Sequence, residues 1–170
     1  MIIINKRNLF FLISVWLLST LLSAQNVTIS TPHTQLLLSV PNGGTPEQLY
    51  YGSDADIRSI CETARRRNAY PVYGMGYPCE TALSVRHADG NLTLQMAVIG
   101  VKETRLTKEN ATLTVIELKD KVYPFFVNIC YKAWQDADVI ETWTEIRHEE
   151  KKPVQLQQFA SAYLPVRRGN

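Results

Sequence analysis

The sequence predicts an all-β chain, an antiparallel β-sandwich with one short helix at most. Two observations carry this reading. Apolar and polar residues alternate with period two in short segments from Val27 onward, and the segments end at turn-forming Gly, Pro, Asn or Asp. Only one stretch, Asp54 to Asn68, suits a helix. Composition fits a packed domain, because 45% of the 170 residues are hydrophobic and 20% are charged, values that argue against wholesale disorder.

The amino terminus is set apart from the fold. Lys6 and Arg7 precede the apolar run Leu9 to Leu22, broken only by Ser14, Ser19 and Thr20, and Leu22-Ser23-Ala24 ends in small residues. Residues 1–24 are therefore expected to be a signal peptide cleaved after Ala24, which would make the mature chain an exported, periplasmic or extracellular protein. The run is short of the roughly 20 apolar residues of a spanning anchor. No cysteine follows it closely, which disfavours a lipid-anchored precursor. Removing it takes Lys6 and Arg7 from the 18 basic residues and none of the 16 acidic ones, so the mature chain is neutral. The apparent basicity belongs to the export segment, and no nucleic-acid partner is expected.

In chain order, Val27 and Ile29 alternate with Thr28 and Ser30, then Leu36, Leu38 and Val40 with Leu37 and Ser39, giving two strands. Pro41-Asn42-Gly43-Gly44 is a turn. Leu49-Tyr50-Tyr51 is a strand ending at Gly52. The helix-compatible stretch follows, with Ser53 or Asp54 as N-cap and Ile57, Ile60 and Cys61 on one face. Arg65-Arg66-Arg67 reads as a solvated end of a helix or loop, since a lone cluster on a neutral chain lacks a supporting basic patch. Tyr70 to Thr81 is a loop built on Pro71, Gly74, Gly76 and Pro78.

Ala82 to Arg86 is a strand, Asp89-Gly90 favours a type I′ hairpin, and Leu92, Leu94, Met96 and Val98 form the returning strand. Leu113 to Leu118 is β-rich, and Phe125 to Tyr131 is apolar enough to be buried on both faces. Val139 to Arg147 places Trp143 among Glu141, Glu145 and Arg147. Glu149 to Lys152 is a charged turn before Pro153, and Val154 to Leu164 is extended. Leu164 to Asn170 supplies no closing strand, so domain 25–170 is expected to be incomplete at its carboxy terminus. There is no internal repeat and no low-complexity linker.

Chemistry is sparse. Cys61, Cys79 and Cys130 lack C-x-x-C or zinc spacing, so no metal site is expected. They suit either a Cys61–Cys79 disulfide or buried free thiols. Asn26, Asn91 and Asn110 head N-x-T sequons. Asp136, Asp138, Glu141 and Glu145 lie near Trp134 and Trp143, a pattern that could bind or cleave sugar, though such acids more often form the solvated edge of a strand turn. His33, His87 and His148 are expected to be solvated surface residues. No G-x-S-x-G elbow is present, and Gly74-Met75-Gly76 is not a phosphate loop. Tyr50, Tyr51, Tyr70, Tyr73 and Tyr77 suit a carbohydrate surface or packing against a neighbouring domain, and the second reading is preferred.

Several phrases, taken together and in order, carry a resemblance. Leu49-Tyr50-Tyr51-Gly52, Tyr70-Pro71-Val72-Tyr73-Gly74, Ala82-Leu83-Ser84-Val85 with Ala88-Asp89-Gly90, and Val139 to Arg147 followed by Lys152-Pro153-Val154 resemble the amino-terminal domain of glycoside hydrolase family 36 α-galactosidases. The resemblance covers most of the mature chain. It implies part of a β-supersandwich preceding a (β/α)₈ catalytic barrel and a small carboxy-terminal β domain. It also implies retaining hydrolysis of terminal α-galactosyl groups by two barrel aspartates. This chain has no Lys-Trp-Asp stretch of the kind that carries the family nucleophile, so it is expected to hold no catalytic residue and to need no cofactor.

Its implied role is to support the barrel and oligomer contacts of a homo-oligomer, with α-galactoside oligosaccharides bound through the catalytic domain. Tyr70, Tyr73 and Tyr77 would then face that domain. Some family members send an acidic residue from this domain into the galactose pocket, and Asp54 and Asp56 are the candidate equivalents. The acid-containing turn usual after Y-P-x-Y-G is replaced by Met75-Gly76-Tyr77-Pro78-Cys79, which departs from the family's subsite contacts. The competing reading is a free-standing exported carbohydrate-binding β-sandwich.

Overall fold

The computed structural model describes residues 24–53, 65–76 and 80–165. The apolar segment before Ala24, most of the helix-compatible stretch with Asp54, Asp56 and Cys61, and Tyr77 with Cys79 lie outside the described residues. The described chain is an antiparallel all-β fold.

One sheet holds β1 (Ala24–Ser30), β2 (Gln35–Pro41), β3 (Glu47–Gly52) and the two-residue β4 (Arg67–Asn68), in that order. Arg67 and Asn68 therefore pair with Gln48 and Glu47 as strand rather than ending a helix. Val27 and Ile29 of β1 and Leu36, Leu38 and Val40 of β2 face the common core. The alternation Leu36/Leu37/Leu38/Ser39 does not separate a wet face from a dry one, because Leu37 and Ser39 are wholly buried as well. Arg66 lies over this side, its guanidinium 3.4 Å from Ser39 Oγ and 3.2 Å from Glu47.

The facing sheet is an up-and-down meander. β6 (Met96–Leu106), β7 (Ala111–Asp120), β8 (Phe125–Trp134) and β9 (Val139–His148) pair in sequence order. A 3₁₀ turn at Thr107–Glu109, with Asn110 in the left-handed region at φ 44°, closes the first hairpin. In β8, Phe125, Val127, Ile129, Tyr131 and Ala133 enter the core, while Phe126, Asn128, Lys132 and Trp134 stay half-buried on the other side. The strand thus alternates, and only Cys130 on the outer side is also buried. β6 extends five residues beyond its apolar start, and Lys102 to Arg105 overhang the core.

The third sheet has two strands, β5 (Leu83–Arg86) and β10 (Gln155–Phe159), joined over 70 residues of sequence. The Asp89-Gly90 turn exists but does not make the expected hairpin. Gly90 N–H donates to His87 O at 2.9 Å and His87 N–H to Asn91 O at 2.8 Å, with only Gly90 at positive φ (92°). That is a type I turn closed by a glycine bulge, not a type I′ turn. Side chains then divert the return strand. Asn91 Oδ1 accepts from Thr93 N–H, Leu94 N–H donates to Tyr73 O, and Asp120 accepts from Gln95 N–H, so residues 91–95 pack on the Tyr70 loop and on the β7–β8 connection. Gly74 allows this approach, because a Cβ there would sit 2.6 Å from Thr93 Cγ2.

Side-chain bonds join the two large sheets at one end. Thr31 Oγ1 donates to Asp138 Oδ1 at 2.5 Å, His33 N–H to the same oxygen at 3.1 Å, and Gln135 Nε2 to Ser30 O at 2.9 Å. The Thr31 bond, then that of His33, holds the Asp138 carboxyl below its ordinary 3.8. A depressed carboxyl contributes stability above its unfolded value and loses that contribution as pH falls through the folded one. Asp138→Asn should therefore flatten the acid limb of the melting temperature against pH, leaving values near pH 7 to differ from wild type by only the lost bond. Parallel profiles for the two proteins from pH 5 to 2, roughly the carboxylate range, would contradict this.

Candidate functional site

The acidic residues that suggested sugar chemistry occupy four separate bonding arrangements. Glu141 accepts from Trp134 Nε1 at 2.9 Å. Glu145 accepts from Trp143 Nε1 at 3.3 Å and from Asn128 Nδ2 at 3.1 Å. Asp136 accepts from Asn110 Nδ2 at 2.6 Å, and Asp138 is held in the intersheet tie. Lys132 covers the Trp134 ring at 3.8 Å from its centroid. Each acid thus has a partner of its own on the sheet or its turns. Between these strands Cys130 is buried as a free thiol, its ionisation pushed up to about 11 by burial and secondarily by Glu145, so it is no nucleophile at neutral pH.

His33 and His148 are exposed as expected, but His87 is not. It is 2% exposed. Its Nδ1 lies 2.7 Å from Glu150 Oε1, while Glu150 Oε2 accepts from Ala88 N–H at 2.9 Å. The imidazole stacks on Tyr123 with centroids 3.7 Å apart and meets Phe125 edge-on. Its Nε2 has no hydrogen-bond partner among the described residues. This cluster locks the turn after β5 to the β9–β10 connection. No sequence signal marks it, since the histidine and its carboxylate are 63 residues apart. Among the described residues no group of three or more His, Cys, Asp or Glu could hold a metal ion.

The tyrosines do not share one surface. Tyr70 is 3% exposed and its hydroxyl donates to Ala160 O at 3.0 Å, so its ring is part of the core of this domain. Burial pushes the pKa of its hydroxyl up, so the phenol stays neutral. Tyr50 donates to Ser53 O, Tyr51 is exposed on β3, and Tyr73 is 47% exposed.

The most distinctive surface lies on β10, across β5 from the Tyr73 loop. Val72 bridges to Leu83 and Tyr73 N–H donates to Leu83 O, so the loop, β5 and β10 lie side by side. Leu83 and Val85 are wholly buried, and their register partners are Phe159 and Leu156. Residues directly opposite on paired strands share a face, here kept in step across the bulge at Gln157. Phe159 and Leu156 therefore continue the core face of β5, yet they are 60% and 46% exposed. All five residues of β10 are exposed, its far edge pairs with no described strand, and Leu164 just beyond is exposed too. An apolar face with an open strand edge marks a contact surface. Sequence reading missed these two residues because Gln157-Gln158 breaks their alternation.

Because both side chains are only partly covered in this chain, at 46% and 60% exposure, Leu156→Ser with Phe159→Ser should change the unfolding free energy of the isolated chain by less than about 2 kcal/mol. The same pair should sharply lower binding of a hydrophobic dye. A loss of 2 kcal/mol or more, roughly the value of one buried large side chain, would show the face to be covered already.

Comparison with known proteins bears on what that face meets. Curated protein sequences give no match. Among solved structures, the fold is shared with the α-galactosidase from Lactobacillus brevis, at TM-score 0.71 and 15% identity, covering 82% of this chain and 23% of that one. It is shared with the GH36 α-galactosidase AgaA from Geobacillus stearothermophilus, at TM-score 0.70 and 15% identity, covering 81% and 24%. The galactosidase domain of the α-galactosidase–sucrose kinase AgaSK gives TM-score 0.70 and 20% identity over 82% and 24%. Variants of AgaA were solved with raffinose and with stachyose. The chain spans about a quarter of the length of these proteins. At such identities the likeness is one of fold, but residues 44–170 also match the family described as the glycosyl hydrolase family 36 N-terminal domain, and the chain belongs to that family.

Proposed function

We propose that this chain is the amino-terminal, non-catalytic portion of an exported α-galactosidase, and that it acts by supporting the catalytic barrel through the open face of β10. The observation that carries the reading is the pairing of a family assignment with an unfinished core. Leu83 and Val85 are sealed, whereas Leu156 and Phe159 on the same face are bare. Covering a Leu or Phe side chain is worth about 1.5–3 kcal/mol. A partner surface that accepts these two gains accordingly.

The chemistry of the described residues supports a supporting role over a catalytic one. Retaining glycosidases need two carboxyl groups about 5–5.5 Å apart flanking the scissile bond. Here the candidate acids are each engaged by a different donor, on different strands and turns. The substrates of the complete enzyme are proposed to be α-galactoside oligosaccharides, the class represented by raffinose and stachyose in the related AgaA structures. Export rests on the Lys6-Arg7 and Leu9–Leu22 segment. Homo-oligomer contacts of the complete enzyme remain part of this proposal, as does the approach of Asp54 or Asp56 to its galactose pocket.

The free-standing glycan-binding reading through the tyrosines has less support, because Tyr70 is enclosed and Tyr50 and Tyr51 belong to a different sheet from the loop that carries Tyr73. The test is direct. Purified chain is expected to show no turnover of an aryl α-galactoside, while the open reading frame that carries it is expected to encode a (β/α)₈ barrel with paired aspartates. Hydrolysis by the chain alone would sink the non-catalytic assignment. A frame that stops without a barrel would sink the supporting role.

A further inference from the structure

Beside the buried His87–Glu150 lock lies a cleft of about 440 Å³, lined by Ala88, Asp89, Tyr123, Pro124, Glu149, Glu150, Lys151 and Lys152. Its volume falls within the range of roughly 300–1,000 Å³ usual for small-molecule sites.

Tyr123 is the best-fixed aromatic on the surface. Its ring stacks on buried His87 at 3.7 Å with 10° between planes. Its hydroxyl donates to Asp89 Oδ2 at 2.7 Å and accepts from Asn91 Nδ2 at 2.9 Å. Three residues from the turn after β5, His87, Asp89 and Asn91, thus hold one phenol ring at the wall of a cleft. A ring held this way loses little freedom when something stacks on it.

The polar groups around the ring narrow the class of ligand. Asp89, Glu149 and Glu150 are acidic, and Lys151 and Lys152 basic. Glu150 is committed to His87, and Glu149 to Arg147. Asp89 already accepts one bond on each oxygen, from Asn91 N–H and from Tyr123, so its remaining lone pairs face two lysines that form no ion pair among the described residues. Such a rim favours neither a strong anion nor a cation. It offers instead a carboxylate acceptor on one side, kept ionised by its bonds from Asn91 N–H and Tyr123, and ammonium donors on the other. An aromatic wall with acceptors and donors spread around it matches a neutral polyhydroxylated ring, whose C–H face packs on the phenol and whose hydroxyls both donate and accept.

We propose that this cleft is a binding site for a neutral saccharide, with Tyr123 as the stacking wall and Asp89, Lys151 and Lys152 as hydroxyl partners. The site depends only on this chain, so its fate is separate from that of the barrel-supporting role. The two tests fail independently.

The experiment is a titration of the purified full chain with methyl α-galactopyranoside, methyl α-glucopyranoside and raffinose, read by amide chemical shifts. At least one is expected to shift the Asp89, Tyr123 and Lys151 amides with a Kd of about 1–10 mM, as suits one small exposed site. The double variant Lys151→Ala, Lys152→Ala alters only exposed side chains and should weaken that binding about tenfold without changing the fold. Tyr123→Phe, which keeps the ring and frees Asp89, should weaken it less than Tyr123→Ala. Absence of shifts for all three sugars at about 50 mM, well above that range, would overturn the proposal. So would shifts that persist undiminished in the lysine variant, or that fall on amides elsewhere in the chain.

Discussion

The fold depends on the sealing of one four-residue strand. β5 contributes Leu83 and Val85, both wholly buried, and binds a neighbour on each edge: the Val72–Tyr73 loop on one side and β10 on the other. The two large sheets can form from nearby hairpins, because their strands pair mostly with the next strand in sequence. β5 cannot, since its ladder partner comes more than 65 residues later. Closing that loop costs entropy before any contact offsets it. The side-chain lock of His87 with Glu150, and the bond from Ala160 N–H to Ala82 O, fasten both ends of the pairing once made.

This arrangement ties structure to function. A strand that completes the β5 ladder but leaves its own apolar face bare satisfies its backbone on one edge only. The solved enzymes that share this fold are some four times longer, and the face is proposed to meet the rest of such a chain. The scattering of the acids over separate bonds accords with the proposed division of labour, in which this portion holds geometry and the chemistry lies in the barrel.

Much of the sandwich was legible in the sequence because apolar residues recur at every second position of its strands. Val27/Ile29, Leu36/Leu38/Val40 and the Val139–Arg147 segment all sit where period-two alternation put them. The reading broke where burial and alternation part. Lys102 to Arg105 belong to β6 although no apolar residue marks them, since that end of the hairpin overhangs the core. Asp89-Gly90 makes its turn, but the hairpin fails because Asn91 and Asp120 capture the next backbone N–H groups. The site was less legible still. His87 reads as a surface residue beside a turn until Glu150 and Tyr123 arrive from distant segments. Leu156 and Phe159 gain meaning only from their register with Val85 and Leu83. The family resemblance, by contrast, was carried by short phrases whose order survives even where local structure was misread.

The measurement that bears most directly on the account is hydrogen exchange along β10, compared between the isolated chain and the complete enzyme that contains it. In the isolated chain the N–H groups of residues 155–159 that do not bond β5 should exchange at nearly the rate of free peptide. In the complete enzyme the same amides should slow by about a hundredfold or more, as expected for edge groups that become paired or covered. Equal, fast exchange in both would mean that nothing docks on the open face, and would contradict the claim that this domain supports its enzyme through β10.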